Sequence, residues 1–482
     1  MKAFISRRVL LVQATKLHRI LLWIAALALV SYVVSGVSHP IMTWTGPQAE
    51  QMRPPQLMAS KEAWKVNQPA LVAHAENTSL QQALLVQTHA GPAFRTFQRQ
   101  QVSYILAGEI QHAEFEQQHA EWLARYYLGS QVAGVDVAAV QRIDSFSRAY
   151  PSVNRLLPVW RIDFATADNL HAYVHTETMS LASVGNSRKS QLQNVFQLLH
   201  THSYLDAWPR LRFFIELILI TSLLFAALSG VGLIFAMPKR KRIASVSRRW
   251  HRNLAIVVFI PLLALAGSGA YHLIDKQGRA EHTGPMVENV VLSELGNFTP
   301  DWDWYDSEMP IQQLSVVINQ QHDYLLRVQG GQAIPVADRE QRFAGRPAFS
   351  SAHYVDAHGV VAYSDQQRAK ELLSAFGLGE PNNLSLVTRF GGLYDFRNKR
   401  LPVWRADYAD ATWFVDAARG VIVEEVAASS YPARWVFQQL HKWNFLTPWF
   451  GRNGRDIILV TVLVGFLSML AFGLRMRLRR RR

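Results

Sequence analysis

The apolar positions of the chain are concentrated in four uninterrupted runs, at residues 20–37, 213–236, 254–271 and 457–474. Each run has about 18 residues or more, and at a rise of about 1.5 Å per residue such a helix nearly crosses a hydrocarbon core of about 30 Å. The pattern therefore predicts an integral membrane protein with a bundle of four transmembrane helices.

The long polar segments that follow the first and third runs predict small α+β domains. Apolar spacing predicts one helix in each segment, at 78–89 and at 311–321. Alternation of apolar and polar positions predicts one pair of hairpin strands in each segment: 158–165 with 171–176, and 402–408 with 412–415.

Basic residues cluster beside the apolar runs and decide the orientation. The formal net charge is +14, and 1–19 holds five Lys or Arg residues, 237–252 seven, and 475–482 six. Spread over a soluble surface, this charge would indicate a nucleic-acid partner, but at helix ends it places both termini and the middle link in the cytoplasm. The two long segments then lie on the outer side, which is the periplasm if the membrane is a bacterial inner membrane.

These signals together predict a division of the chain into nine parts. The parts are a cytoplasmic N-terminus (1–19), a first membrane helix (20–39), a first outer domain (40–210), a second helix (213–236), a basic link (237–252), a third helix (254–272), a second outer domain (273–455), a fourth helix (457–474) and a basic tail (475–482).

The two halves of the chain repeat the same motifs in the same order. The histidine pair His18 and His39 matches His251 and His272, and Thr-Gly-Pro begins at both Thr45 and Thr283. Tyr150 precedes a Leu-Pro-Val-Trp-Arg motif that begins at Leu157, and Tyr394 precedes the same motif at Leu401. A Val-Phe-Gln segment ends in His200 in the first half and in His441 in the second. Each half therefore reads as helix, outer domain, helix. Parallel repeats of this kind are related by an axis along the membrane normal, so equivalent positions face each other.

The repeated histidines are the candidate chemistry. His18 and His39 are 21 residues apart (39 − 18), so they lie about 32 Å apart along a helix and within about 60° of each other around it. Since the chain has no cysteine, a metal must be bound by histidine or oxygen. Histidines that only interact with lipid head groups and water do not need to occur at six matched repeat positions. Zinc or copper could bind imidazole, but haem iron held between imidazoles on facing helices fits the pattern better.

The sequence predicts haem b at both membrane faces, with two or three groups in all. On the cytoplasmic side, His18 and His251 form the economical pair. On the outer side the alternatives stay open: one on-axis haem from His200 with His441 or from His39 with His272, or two haems from His39 with His200 and His272 with His441. The other eleven histidines, His202 among them, lack repeat partners and are expected to have structural or surface roles.

An intramembrane acid, Glu216, stands early in the second run, and Asp456 is close to its repeat position. Acids inside a membrane mark proton paths or are satisfied helix-end carboxylates. The sequence favours the second interpretation.

The doubled motifs resemble the PepSY-associated transmembrane helix family over nearly the whole chain. The resemblance rests on three features: the His-Arg starts at His18 and His251, the Leu-His approaches at His200 and His441, and the two Leu-Pro-Val-Trp-Arg strands followed by Tyr173-Val174 and Phe414-Val415. It implies four helices, two PepSY domains, and haem near both faces, as in bacterial ferrisiderophore reductases. It also implies that His18, His251, His200 and His441 are the family's recurrent histidines, whereas His39 and His272 are less typical of it.

The predicted function is a haem reductase that moves electrons from the cytoplasmic side or the quinol pool to a periplasmic ferric siderophore and releases Fe²⁺. No Gly-x-Gly-x-x-Gly or Walker motif occurs, so the donor is a quinol or a separate reductase. No individual catalytic residue is predicted. The alternatives are a non-enzymatic membrane protein that binds a periplasmic partner, and a metal or siderophore transporter, for which four unbroken helices leave little room.

Overall fold

The computed structural model of the chain describes most of the sequence in eleven segments. These are residues 7–51, 53–57, 59–98, 101–111, 113–236, 245–277, 285–288, 292, 295–306, 310–331, 352–478, with the side chains of 7, 8, 10, 113 and 297 excepted. Several residues singled out in the sequence lie outside this description: His112, His282, Thr283 and the basic residues at 2, 239–242 and 479–482.

The elements of each half follow the same general order. In the first half they are α1 (Arg7–Thr45), α2 (Lys61–Asn77), β1 (Gln82–Thr88), β2 (Gly91–Gln98), β3 (Gln101–Leu106), β4 (Glu109–Gln111), α3 (Ala113–Leu128), β5 (Val137–Ile143), β6 (Val159–Phe164), β7 (His171–His175), β8 (Ser180–Gly185), α4 (Ser187–Leu199) and α5 (Pro209–Ala236). In the second half they are α6 (Val246–Gln277), β9 (Met286–Val287), β10 (Ile311–Ile318), β11 (Tyr324–Gly330), β12 (His353–Asp356), β13 (Gly359–Val361), α7 (Asp365–Ala375), β14 (Asn383–Val387), β15 (Val403–Asp407), β16 (Ala411–Asp416), β17 (Val421–Ala427), α8 (Tyr431–Val436) and α9 (Thr447–Leu478).

The chain divides into two compact units. A membrane unit consists of Met1–Gly46, Ser187–Glu281 and Ser430–Arg482, and an outer unit consists of Pro47–Asn186 and His282–Ser429. The segment 187–209, which the sequence assigned to the first outer domain, thus belongs with the membrane helices.

Four helices of the membrane unit, α1, α5, α6 and α9, are long and apolar enough to cross a membrane, as predicted for a multi-pass membrane protein. Lipid offers no hydrogen bonds to the backbone, so uncharged apolar runs satisfy their own N–H and C=O groups as helices. Each helix extends beyond its predicted apolar run, and α9 contains a break at Gly451, whose φ of 64° favours glycine.

Side chains from all four helices form the core of the membrane unit. Val33, Leu223, Val258 and Phe466 are among its buried members. On α1, the buried Ser31, Ser35 and Ser38 follow one another at helical spacing, while Val30 and Val34, which directly precede two of them, are exposed. The exposed apolar side chains form the surface that lipid would cover.

In its described residues, the outer unit contains three antiparallel sheets. One has eight strands in the order β13-β12-β11-β10-β1-β2-β3-β4, one has five in the order β14-β15-β16-β17-β9, and one has four in the order β5-β6-β7-β8. The eight-stranded sheet is shared by both halves of the chain, because β1 pairs with β10 through Leu84 opposite Ser315. The predicted α+β character is confirmed.

The predicted helices at 78–89 and 311–321 are wrong, since these segments contain β1 and β10. Both strands are central in the sheet and buried along most of their length. A strand buried on both faces loses the alternation of apolar and polar residues, so its short apolar run cannot be told from a helix by periodicity.

The predicted hairpins are confirmed. β6 pairs with β7, and β15 pairs with β16. The halves also share a local feature: the Tyr150 hydroxyl donates to the Leu156 carbonyl at 2.9 Å, and the Tyr394 hydroxyl donates to the Arg400 carbonyl at 2.8 Å.

Buried ion pairs connect the two halves of the outer unit. Arg400 contacts Glu177 at 2.6 Å and Asp416 at 3.4 Å, and Arg155 contacts Glu424 at 2.6 Å. Because each arginine reaches a carboxylate of the other half, the outer domains are not independent modules.

Candidate functional site

The first histidine pair of the membrane unit consists of His18 on α1 and His251 on α6. Their ring centroids are 6.4 Å apart, with an angle of 68° between the ring planes. His18 Nδ1 lies 3.0 Å from the Ala226 carbonyl oxygen, and His251 Nδ1 lies 2.9 Å from the Met469 carbonyl oxygen. A carbonyl oxygen only accepts hydrogen bonds, so each Nδ1 carries the proton and leaves the Nε2 lone pair for a metal.

The second pair consists of His200, directly after α4, and His441, at the end of the π-helical turn Phe437–His441. Their ring centroids are 6.2 Å apart, with an interplanar angle of 74°. Among the pairings that the sequence left open on the outer side, the structure brings these two imidazoles together.

Serine hydroxyls orient the second pair. Ser35 Oγ lies 3.0 Å from His200 Nδ1, and it donates its own hydrogen to the Ser31 carbonyl at 2.8 Å. Ser268 Oγ lies 3.2 Å from His441 Nδ1 and donates to the Leu265 carbonyl at 3.0 Å. Each hydroxyl therefore accepts from Nδ1–H, and the Nε2 lone pair is again left available.

Both imidazoles of the second pair lie outside the spans themselves and are neutral at neutral pH. Desolvation, with a smaller contribution from His441, lowers the pKa of His200 to about 3. Desolvation, with a smaller contribution from His272, lowers the pKa of His441 to about 4. A neutral imidazole is the form that binds a metal.

The spacing of both pairs is the spacing expected if the two Nε2 atoms of a pair point to one metal ion between the rings. Ring bonds of about 1.35 Å place each ring atom about 1.15 Å from the centroid of the imidazole. With an imidazole–metal bond of about 2 Å, the two centroids are then about 6.3 Å apart. The observed 6.4 and 6.2 Å agree with this value.

Glycines border three of the four rings. A Cβ atom built on Gly473 would lie 3.1 Å from Cε1 and Nδ1 of His251. A Cβ atom built on Gly230 would lie 3.8 Å from Cε1 of His18, and one built on Gly269 would lie 3.7 Å from Cε1 of His441. Side chains at these positions would crowd the Nδ1 side of the rings and so disturb the orientation of each imidazole.

The two remaining candidates, His39 and His272, lie against phenylalanines rather than in a second imidazole pair. His272 stacks on Phe437 at 4.4 Å, and Phe437 stacks on His441 at 5.1 Å. His39 lies 6.1 Å from Phe196, which stacks on His200 at 4.6 Å. In the structure, both histidines are thus separated from the second pair by an aromatic ring.

Within the described part of the chain, no cluster of three or more His, Cys, Asp or Glu side chains could hold a bare metal ion. Zinc and copper sites require three or four such ligands, whereas haem iron needs only two axial ligands from the protein. The paired arrangement therefore matches haem better than a free ion.

Sequence reasoning missed the residues that support the histidines. Ser35 and Ser268 occupy equivalent repeat positions, so the repeat contained a signal for them. His202, expected to be structural, is buried with Nδ1 at 3.6 Å from Glu216 Oε1 and has no repeat partner. Asp456 lies beside Arg455 at 2.6 Å, as a satisfied helix-end carboxylate.

Comparison with protein-family models, with curated proteins and with solved structures finds no match to this chain. The resemblance to the PepSY-associated family stays a prediction. The function is therefore inferred from the geometry of the two histidine pairs.

Proposed function

We propose that this chain is a haem b-dependent membrane reductase that carries electrons across the bilayer to a ferric chelate, such as a ferric siderophore, and releases Fe²⁺. The observation that carries the proposal is the spacing of the two histidine pairs, 6.4 Å and 6.2 Å between ring centroids. In this function His18 and His251 hold one haem, and His200 and His441 hold the other.

The positions of the pairs suit transfer across a membrane. α1 carries His18 near one end and, 17 residues later (35 − 18), Ser35, which contacts His200. At about 1.5 Å per residue, the two pairs are separated by about 25 Å along the helix, most of the thickness of a hydrocarbon core. Together they would connect the two membrane faces.

Haem, when bound, supplies a one-electron Fe³⁺/Fe²⁺ couple whose potential depends on axial ligands, hydrogen bonding and burial. The chain's own contribution is to fix each imidazole. Each Nδ1–H group donates a hydrogen bond to an oxygen of another element. The acceptors are the carbonyls of Ala226 and Met469 and the hydroxyls of Ser35 and Ser268. These hydrogen bonds hold the ring orientation and raise the basicity of Nε2.

Two haem groups are favoured over three. The rings of His39 and His272 stand behind Phe196 and Phe437, where they border the second site instead of forming a third one. Their proposed role is to shape the outer side of the second haem site.

The orientation and location follow from charge. Basic residues at one end of the membrane helices include Lys16, Arg19, Arg252, Arg475 and Arg477, and the proposal places them in the cytoplasm of a bacterium, with the outer unit in the periplasm. The electron donor is a membrane quinol or a separate cytoplasmic reductase, and the electron acceptor is the periplasmic ferric chelate. No nucleic-acid partner is proposed.

The test is the spectrum and haem content of the purified full-length protein, expressed with adequate haem. We expect a Soret band, low-spin b-type bands after dithionite, and about two haem groups per chain. Protein reduced in liposomes should then reduce an enclosed ferric chelate, detected with a Fe²⁺-specific chromophore. Absence of a Soret band would favour the non-enzymatic alternative, and chelate uptake into vesicles without a redox change would favour a transporter.

A further inference from the structure

A buried polar cluster lies beside the second histidine pair, in the first half of the chain only. It consists of Tyr32 on α1, His202 in the connection before α5, and Glu216 on α5. The Tyr32 and His202 ring centroids are 6.2 Å apart, nearly perpendicular, and His202 Nδ1 lies 3.6 Å from Glu216 Oε1. We call these three residues the Tyr-His-Glu cluster.

Two polar atoms of the Tyr-His-Glu cluster are unsatisfied. In the described part of the chain, the Tyr32 hydroxyl and His202 Nδ1 are buried without a hydrogen-bond partner, and His202 as a whole is only 5% exposed. Each such group destabilises the fold unless something else bonds to it. The pair thus offers a phenol and an imidazole nitrogen to a ligand with hydroxyl or carbonyl oxygens.

The repeat shows that the fold does not need this cluster. Leu265 occupies the position equivalent to Tyr32, because the offset between these two residues equals the offset between His18 and His251 (265 − 32 = 251 − 18). Trp443 occupies the position equivalent to His202, because their offset equals that between His200 and His441 (443 − 202 = 441 − 200). The indole N–H of Trp443 donates a hydrogen bond to the Leu440 carbonyl at 3.0 Å. Because the second half builds the same scaffold with apolar or satisfied residues, the unsatisfied polar atoms serve a purpose specific to the first half.

The surroundings of the cluster point to a lipid-soluble ligand close to the second haem site. The Tyr32 ring is 5.6 Å from the His200 ring. Tyr32 lies on α1 and Glu216 lies on α5, and both helices are long and apolar enough to cross a membrane. A ligand dissolved in the lipid therefore suits this position.

We propose that the Tyr-His-Glu cluster binds the head group of a membrane hydroquinone, and that this hydroquinone gives electrons to the site of His200 and His441, in addition to those that the proposed function brings across the bilayer from the site of His18 and His251. The inference rests on the proposed haem function for its electron acceptor. The Tyr32 hydroxyl and His202 Nδ1 bond to the oxygens of the head group, and the Glu216 carboxylate is the proton acceptor.

One hydroquinone breaks two O–H bonds, loses two electrons and becomes a quinone. The two electrons would reduce two ferric ions of the chelate to ferrous ions, and His200 with His441 would hold the haem that supplies the one-electron couple. The two protons pass in turn to Glu216 and then to water at the outer face.

The experiment uses the full-length protein in lipid nanodiscs, with duroquinol as reductant and duroquinone as ligand. Tyr32→Phe and Glu216→Gln each remove one polar function with little change in volume, and Trp443→Phe is the matched control in the second half. Anaerobic stopped-flow absorbance measures the rate of haem reduction, and calorimetric titration measures duroquinone binding.

We expect Glu216→Gln to slow reduction by duroquinol about a hundredfold, as for loss of a proton acceptor. Tyr32→Phe should weaken duroquinone binding about tenfold, as for loss of one buried hydrogen bond. Haem content and reduction by dithionite should stay unchanged in both variants, and Trp443→Phe should match the wild type.

Two failures are distinguishable. A wild-type protein without haem would reject the proposed function, while the calorimetric titration would still test the binding site. A haem-loaded wild type whose duroquinol rate and duroquinone affinity are unaffected by Tyr32→Phe and Glu216→Gln would reject the hydroquinone site alone.

Discussion

The imidazole rings of His18 and His251 are inclined at 68° to each other with their centroids 6.4 Å apart, although the two residues belong to different halves of the chain. Each ring is fixed through Nδ1 to a carbonyl of the helix that ends its own half, Ala226 on α5 and Met469 on α9. Each copy of the duplicated unit therefore contributes one imidazole and one orienting carbonyl. The pair forms only when the two copies pack together.

Substitution of one ligand should remove a single haem. His18→Ala and His251→Ala are each expected to reduce the haem content from about two groups per chain to about one, because the proposed function assigns two histidines to each haem. Pyridine haemochrome analysis against protein concentration measures the ratio. His358→Ala, at an exposed position of the outer unit, is the control. Retention of both haems in the two variants would contradict the pairing.

A methyl group at Gly473 should disturb the first site. Its Cβ would lie 3.1 Å from the His251 ring, tighter than ordinary contact, so Gly473→Ala should broaden the low-spin signal in electron paramagnetic resonance or lower haem occupancy. Gly267→Ala on α6 is the matched control, since nothing lies within 4 Å of its added Cβ. Equal spectra for the two variants would show that the ring tolerates the methyl group.

Removal of the Ser35 hydroxyl should raise the midpoint potential of the second haem. The hydroxyl accepts from His200 Nδ1–H and increases ligand basicity, which favours the ferric form. Redox titration of Ser35→Ala followed by optical spectra measures the shift. Ser38→Ala serves as the control, because Ser38 is equally buried on the same helix but donates to the Ser35 carbonyl. A potential unchanged in Ser35→Ala would reject this role.

Loss of the Arg400 guanidinium should destabilise the outer unit. Arg400→Ala leaves the Glu177 and Asp416 carboxylates without this partner, and breaking a buried ion pair costs about 3 to 5 kcal/mol of unfolding free energy. The partly exposed pair of Arg405 with Asp407 gives the control, Arg405→Ala, for which the expected cost is about 0 to 1 kcal/mol. Denaturant titration of the full-length protein compares them, and similar midpoints would contradict the prediction.

Acid should destabilise the outer unit through His119, which is fully buried on α3. Desolvation lowers its pKa from 6.5 to about 3. Below pH 6.5 the unfolded chain therefore binds a proton that the folded protein excludes, so stability falls by about 1.4 kcal/mol per pH unit until about pH 3. In His119→Gln, the unfolding free energy should fall less steeply as the pH decreases, by the contribution of about one proton. Unfolding titrations at several pH values measure this slope. His358→Gln should keep the wild-type slope.

Several features could be predicted because they depend on residues that are close in sequence. Hydrogen bonding within a helix is local, so the length of an apolar run was enough to identify the four membrane helices. The hairpins after Leu157 and Leu401 follow from alternation over a few residues. The helices predicted at 78–89 and 311–321 failed because β1 and β10 are buried on both faces, which only the pairing of the two halves brings about.

The sequence by itself determined the number of membrane helices, the duplication and the set of histidines, since all three are properties of composition and spacing along the chain. Only the tertiary structure decided that His200 meets His441 rather than His39, and that Tyr32, His202 and Glu216 converge beside them. The reason is physical: distances between helices depend on how side chains pack across the bundle, and residues far apart in sequence acquire their neighbours only when that packing forms.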